Sequence, residues 1–276
     1  MSTSPSPDAA TATTPIDEGD LLYRIEDGVG IITFNRPQAR NALTFSMYEQ
    51  VAGICSSIPD DGSVHALVLH GAGGKAFAAG TDISLFRDFT TPEQGIAYEE
   101  AADRNMSAIE ACPVPTIAAI NGACTGGGAG IAACCDLRYT SADLKFGFPI
   151  ARTLGNCLSA ATLARLKTLM GEARVKDLII TSRLMRGDEA LRVGLVSEVF
   201  ETGEDCLTHA MSLARDLKGH APLTMRVTKT LLHALRDQAP GDVDDEAMIA
   251  QIYTSADFKE GMDAFLTKRK PQWRGR

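Results

Sequence analysis

Residues 115–149 read PTIAAINGACTGGGAGIAACCDLRYTSADLKFGFP, and the fold class turns on how this stretch is read. Thr116 to Ile120 is a short, uninterrupted apolar run of the kind that forms a buried strand. Three glycines follow, Gly126, Gly127 and Gly128, and open onto small apolar residues of helical character. From Asp136, DLRYT again reads as a strand. Two readings of the glycines stand side by side. They permit close strand–helix packing, or they leave bare backbone N–H groups at a helix start, where the helix dipole favours negative charge. No carboxylate, histidine or lysine follows them before Asp136.

Outward from this stretch, the pattern repeats. LLYRIEDGVGIITFNRP, from Leu21, holds two strand-like runs joined by Glu26-Asp27-Gly28, a hairpin signal. TFSMYEQVAGICSSI has apolar residues at helical spacing after Thr44, a favourable N-cap. HALVLHGAGG, from His65, reads as a buried strand running into a glycine loop. A helix is expected over Pro92 to Ala111, opened by TPEQ as a capping box with proline in the first turn. From about Ser159 helices dominate: SAATLARLKTLMG, EARVKDLIITS, DEALRVG, DCLTHAMSLARDLKG and TMRVTKTLLHALRD. Alternating strands and helices followed by helices predict an α/β core with a helical C-terminal region. The expected division is residues 1–19 as a disordered tail, 20–205 as the core and 206–276 as the helical region.

Composition narrows the function classes. The 276 residues are 45% hydrophobic and 22% charged, as in an ordinary soluble globular protein, and no apolar run approaches the ~18 residues of a membrane span. The opening MSTSPSPDAATATTPIDEG lacks the basic start and apolar core of a secretory signal. Seven cysteines, Cys55, Cys112, Cys124, Cys134, Cys135, Cys157 and Cys206, are scattered and read as reduced, buried thiols of a cytoplasmic protein. None has zinc spacing, so no metal site is expected. A net charge of −8 argues against nucleic-acid binding. The terminal TKRKPQWRGR is locally basic, either as a solvated tail or as the edge of a pocket for a phosphate-bearing ligand.

Neither glycine loop is a nucleotide motif. HGAGGKA, from His70, has Leu69 where a P-loop needs glycine, and Lys75 precedes Ala76 instead of Ser or Thr. The triplet does not continue as GxGxxG, because Ile131 holds the last place. What the loops share is a buried strand before each and small residues that let a ligand approach the backbone.

Four segments in order, NRPQARNALTFSMYEQV, GAGGKAFAAGTDISLF, the 115–149 stretch and GMDAFLTKRKPQW, resemble the crotonase (enoyl-CoA hydratase/isomerase) superfamily. The likeness spans about Leu21 to Trp273. It implies a crotonase-like core of stacked ββα units with a helical C-terminal region, a homotrimer or a hexamer of paired trimers, and an acyl-CoA thioester substrate. Coenzyme A enters as part of that substrate, with no permanently bound cofactor. The resemblance assigns the two N–H groups of an oxyanion hole to Thr81 and Gly127, using only the backbone of Thr81. It places Gln38, Ala39 and Arg40 along the coenzyme channel and Ala79, Asp82, Ile83, Gly126, Pro149, Ile150 and Leu154 around the substrate. Phe265 and Lys268 match positions that reach the adenine end, commonly from a neighbouring subunit.

The resemblance breaks at the carboxylates. The positions of the family's two catalytic glutamates are Gly130 and Ile150 here, and neither can exchange a proton. Remaining acid–base candidates are Asp82, read mainly as structural; Glu99, Glu100 and Asp103, read as a solvated face; and Arg152, Thr153, Asn156 and Cys157, just after Ile150. Cys157 reads as a small buried thiol before a nucleophile, and His70 as structural. The expected function is an acyl-CoA enzyme that stabilises a thioester enolate. Its alternatives are a non-catalytic acyl-CoA binding protein and a decarboxylase or hydrolase of the same superfamily.

Overall fold

A hairpin opens the fold: β1 (Leu21–Glu26) and β2 (Val29–Phe34) pair antiparallel through Asp27 and Gly28, both at positive φ, the backbone that a two-residue hairpin turn requires. The computed structural model describes residues 16, 18–238, 242–243 and 245–276, so the expected 1–19 tail lies almost wholly outside the described residues. Strands β3 (Ala66–Gly71), β5 (Thr116–Ile120), β7 (Leu137–Ser141) and β9 (Glu198–Phe200) extend β2 as a parallel sheet, in the order β1-β2-β3-β5-β7-β9. A second, parallel sheet is built from β4 (Ala76–Ala78), β6 (Ala123–Thr125) and β8 (Lys145–Gly147). Each of these short strands follows a strand of the large sheet directly, which makes the stacked ββ units of the α/β fold.

Helix α1 (Phe45–Ser56) begins where Thr44 Oγ1 accepts from the Met47 N–H at 3.3 Å. Helix α2 (Pro92–Glu110) begins at Thr91, whose N–H donates to the Gln94 side chain at 3.0 Å. The small helix α3 (Gly127–Cys134) follows β6, and α4 (Ala160–Met170), α5 (Glu172–Thr181) and α6 (Gly187–Arg192) precede β9. After β9 come α7 (Gly203–Asp216), α8 (Pro222–Asp237), α9 (Glu246–Thr254) and α10 (Ala256–Thr267).

Both faces of the large sheet are buried, which is why its strands read as continuous apolar runs. Ile32, Phe34, Leu67, Leu69, Ala118 and Ile120 pack with α1, α3 and the second sheet. Val29, Ile31, Ala66, Val68, Ile117 and Ala119 face the other way, under Cys206, Ala210, Met211 and Ala214 of α7. Six of the seven cysteines are buried as expected, but Cys157 is exposed. The expectation of a buried thiol there is corrected: it lies in an open loop between Pro149–Ala151 and α4 rather than in an element that packs on the core. Among the described residues, no helix is long and apolar enough to cross a membrane.

Candidate active site

The segment NRPQARN is a pinned loop. Asn41 is fully buried at positive φ, and its side chain donates to Ala72 O at 3.0 Å and Ala76 O at 2.7 Å while accepting from the Arg36 N–H at 2.9 Å. Those bonds tie the loop to β3 and β4. Ala79 N–H donates to Arg40 O, Leu43 N–H to Gly80 O and Asp82 N–H to Leu43 O, at 3.1, 2.8 and 2.9 Å. The start of α1 is therefore laid alongside the loop AAGTD, and Tyr48 of its first turn reaches over it.

The triplet occupies the neighbouring wall, and each of its glycines is needed for a different reason. Gly126 has φ +51° and ψ −121°, a conformation that side chains avoid. A Cβ on Gly128 would fall 2.2 Å from the Ala78 carbonyl oxygen, so here the packing reading holds. A Cβ on Gly127 would fall 1.6 Å from the Tyr48 hydroxyl oxygen and 3.1 Å from Thr81 Oγ1. The two loops thus meet at Gly127 and Thr81. Neither of these residues' N–H groups donates to any described residue, although Asp82 beside one and Gly126 beside the other are both bonded.

A cavity of about 190 Å³ opens between them. Ala79, Thr81, Ile83, Gly126 and Gly127 line it with Gly130, Pro149, Ile150, Leu154 and Asn156 from the sequence-expected set. Tyr48, Tyr98, Glu99 and Met106 are among the other wall residues, as is Thr153 of the candidates that follow Ile150. At Gly130 the space a side chain would enter is met by Met106 Cε, 3.0 Å from an added Cβ. Ile150 is buried.

Of the candidate acids and bases, Glu99 is the carboxylate on the cavity wall. It sits half-buried on α2. Burial raises its proton affinity above the ordinary carboxylate value, helped by the charge of Asp103 and opposed by a hydrogen bond from the Ser159 backbone. Its neighbours in EEAADR differ: Glu100 is exposed, and Asp103 is committed to Ser159 Oγ at 2.8 Å and Arg165 at 3.3 Å. The solvated-face reading of this cluster therefore holds for Glu100 but fails on the face of α2 that carries Glu99 and Asp103, where Glu99 meets the cavity and Asp103 pairs with the buried Arg165. Asp82 faces elsewhere, capping the turn Ile83–Phe86 through Ser84 and paired with Arg36 at 3.1 Å. The Ser84 bonds first, then Arg36, hold it below the usual carboxylate range. Cys157 is absent from the lining. Asp136 lies at the far end of α3, accepting from Thr116 N–H at 2.7 Å and paired with Lys229 at 2.6 Å. His70 is bonded to Thr33 Oγ1 at 2.8 Å, and burial depresses its pKa to about 4.

Gln38 and Arg40 are exposed on the surface of the pinned loop. Phe265 lines a separate apolar groove with Leu223, Met262 and Trp273, and Lys268 ends α10 at positive φ. Within one chain these two do not line the cavity. Tyr48 and Tyr98 were not singled out by sequence reasoning; Tyr48 stood in plain view as an apolar-face position of α1, and only the fold brings its hydroxyl to Gly127.

The sequence pattern of the enoyl-CoA hydratase/isomerase family matches residues 24–276. The chain belongs to this family. Among its relatives in the family, a short-chain-enoyl-CoA hydratase of Clostridium acetobutylicum is 34% identical over 256 residues, covering 91% of this chain and 96% of the relative. A crotonyl-CoA hydratase of Syntrophomonas wolfei is 31% identical with the same coverage. The crystal structure of an enoyl-CoA hydratase/carnithine racemase from Magnetospirillum magneticum superposes with a TM-score of 0.85 at 32% identity, covering 94% of this chain and 97% of the other. The family member described here therefore has the crotonase fold over nearly its whole length.

Proposed function

We propose that the protein stabilises the enolate of a short acyl-CoA thioester between the N–H groups of Thr81 and Gly127, with Glu99 as the group that moves the α-proton. The observation that carries this reading is the convergence on one cavity of two unpartnered N–H donors and one carboxyl of raised proton affinity. Two such donors are each worth roughly 3–4 kcal/mol to a developing oxyanion. For isomerisation or exchange, Glu99 takes a proton from the carbon next to the thioester carbonyl, the electron pair shifts onto the carbonyl oxygen, and reprotonation of the carbon chain completes the reaction. For hydration, Glu99 takes a proton from water as its oxygen bonds to the β-carbon, the double-bond pair shifts through the carbonyl onto oxygen to give the same enolate, and Glu99 returns the proton to the α-carbon. Gly130 and Ile150, where the superfamily keeps glutamates, leave that task to the opposite wall.

The cavity of about 190 Å³ is below the ~300 Å³ typical of drug-sized ligands. It therefore takes the acyl-thioester end, while the nucleotide lies outside along Gln38, Ala39 and Arg40. A homotrimer brings Phe265 and Lys268 of one subunit to the adenine end of the next. Exposed Met262, Phe265 and Leu266 on α10 support that assembly.

The test is hydration of crotonyl-CoA with butyryl-CoA binding measured alongside. Wild-type turnover reduced ~100-fold or more in Glu99→Gln, at unchanged butyryl-CoA affinity, is the expected result. Turnover that survives the substitution would move the acid–base role to Asn156 or elsewhere. Tight binding without turnover of any acyl-CoA would make the protein a binding module.

A further inference from the structure

Three hydroxyls stand in a row over the Gly127–Thr81 contact. Tyr48 Oη lies 2.8 Å from Thr81 Oγ1, and Thr81 Oγ1 lies 3.2 Å from Tyr98 Oη. All three residues line the cavity, and Tyr48 is only 4% exposed. Each hydroxyl carries one proton, and the row contains two links. Whichever way the links point, one O–H proton is left without an acceptor among the described residues.

Geometry says where that proton is most useful. The Tyr48 oxygen occupies the place of a Gly127 side chain, 1.6 Å from an ideal Cβ, so it sits beside the backbone of a cavity-lining residue whose N–H is bonded to no described residue. We infer that Tyr48 is a third donor to the thioester oxygen, aligned by a relay in which Tyr98 donates to Thr81 and Thr81 donates to Tyr48. This rests on the enolate reading above and gives the side chain of Thr81, not just its backbone, a part in the site.

The relay also fixes what Tyr48 is not. Burial drives its proton affinity far above that of a free phenol, with the neighbouring Tyr98 adding to it against the Thr81 hydrogen bond. It remains a neutral donor at working pH and leaves proton abstraction to Glu99. Tyr98 is placed by packing: its ring meets Phe45, Phe86 and Phe89 at centroid distances of 5.5, 4.8 and 6.3 Å. Tyr98 and the Thr81 hydroxyl are positioning groups, and Tyr48 is the one that touches substrate.

A saturated probe, butyryl-CoA labelled with ¹³C at the thioester carbonyl, reads polarisation of the carbonyl without turnover. Isotope-edited infrared spectra of the wild-type complex are expected to show the carbonyl stretch lowered relative to free thioester. Tyr48→Phe reverses part of that shift and lowers kcat for crotonyl-CoA about 10- to 100-fold, the range for a lost hydrogen bond to a charged group, with KM changed less. Thr81→Val behaves similarly, whereas Thr81→Ser, which keeps the hydroxyl and the N–H, retains the wild-type frequency. A carbonyl frequency in folded Tyr48→Phe equal to that of wild type overturns the relay and leaves the enolate reading standing. A wild-type complex with no shift at all removes both. Thr81→Val serves as the second route if Tyr48→Phe fails to fold, since an unshifted frequency there also overturns the proposal.

Discussion

Glu99 owes its chemistry to one turn of helix. It shares α2 with Glu100 and Asp103, yet it alone of the three lines the cavity: Glu100 falls on another face of the 3.6-residue period, and Asp103, one turn further along the same face, is taken up by Ser159 and Arg165. Its raised proton affinity has a consequence with a definite sign. The carboxylate form abstracts the proton, so kcat/KM is expected to fall as pH drops through the Glu99 pKa, which lies above the ordinary glutamate value. A pH–rate profile checks this, and the acidic limb should vanish in the residual activity of Glu99→Gln. Gly130 gives a second test at this scale. An alanine there meets only the flexible Met106 Cε at 3.0 Å and gains up to about 1 kcal/mol of helix propensity. Gly130→Ala is therefore expected to be close to neutral in thermal unfolding. Gly128→Ala drives a Cβ to 2.2 Å from a fixed carbonyl oxygen and should cost several kcal/mol or block folding. Equal effects of the two substitutions would contradict the separation of roles within the glycine run.

At the scale of elements, the long ones announced themselves. α1 and α2 carry their caps at Thr44 and Thr91, and β2, β3 and β5 are buried along their length except at His70. The three strands of the small sheet were hidden, β4 and β6 in what read as glycine loops and β8 in a segment given no element at all. Each is three residues long, too short to display alternation, and what makes them strands is the parallel partner on the next unit. β9 was likewise concealed in a region where helices dominate. The site suffered from the same limit. The loops that carry Thr81 and Gly127 were legible, with the two residues themselves named only through the resemblance, but Glu99 and Tyr48 face the cavity only because helices are set against those loops by bonds such as Leu43 N–H to Gly80 O. One pH effect belongs to β3. His70 has a pKa of about 4 in the fold against about 6.5 unfolded. The unfolded state therefore binds more protons between those values, and stability is lost as pH falls through that window, at up to about 1.4 kcal/mol per pH unit. His70→Gln should flatten the decline in Tm between pH 6.5 and 4.

For the molecule as a whole, the α/β core carries the cavity and the C-terminal helices carry an exposed apolar face. Phe265 is 84% exposed and Leu266 73%, which is unusual for large apolar side chains on one helix. In the proposed assembly a second copy covers both, and by that route Phe265 and Lys268 would reach a coenzyme. The double variant Phe265→Asp, Leu266→Asp is expected to run as a monomer in light scattering and to lose affinity for acyl-CoA more than for the pantetheine thioester. A variant that keeps the wild-type mass would contradict this assembly. The catalytic claim does not depend on it.

That claim is tested most directly by exchange of the α-protons of butyryl-CoA in D₂O, followed by proton NMR. Exchange needs only enolate formation, with no water addition and no particular double bond. The account predicts exchange with wild type, a loss of ~100-fold or more in Glu99→Gln, and a comparable loss when Gly127→Ala crowds the oxyanion loops. Exchange at the wild-type rate in Glu99→Gln, or none above background in wild type despite bound butyryl-CoA, would contradict it.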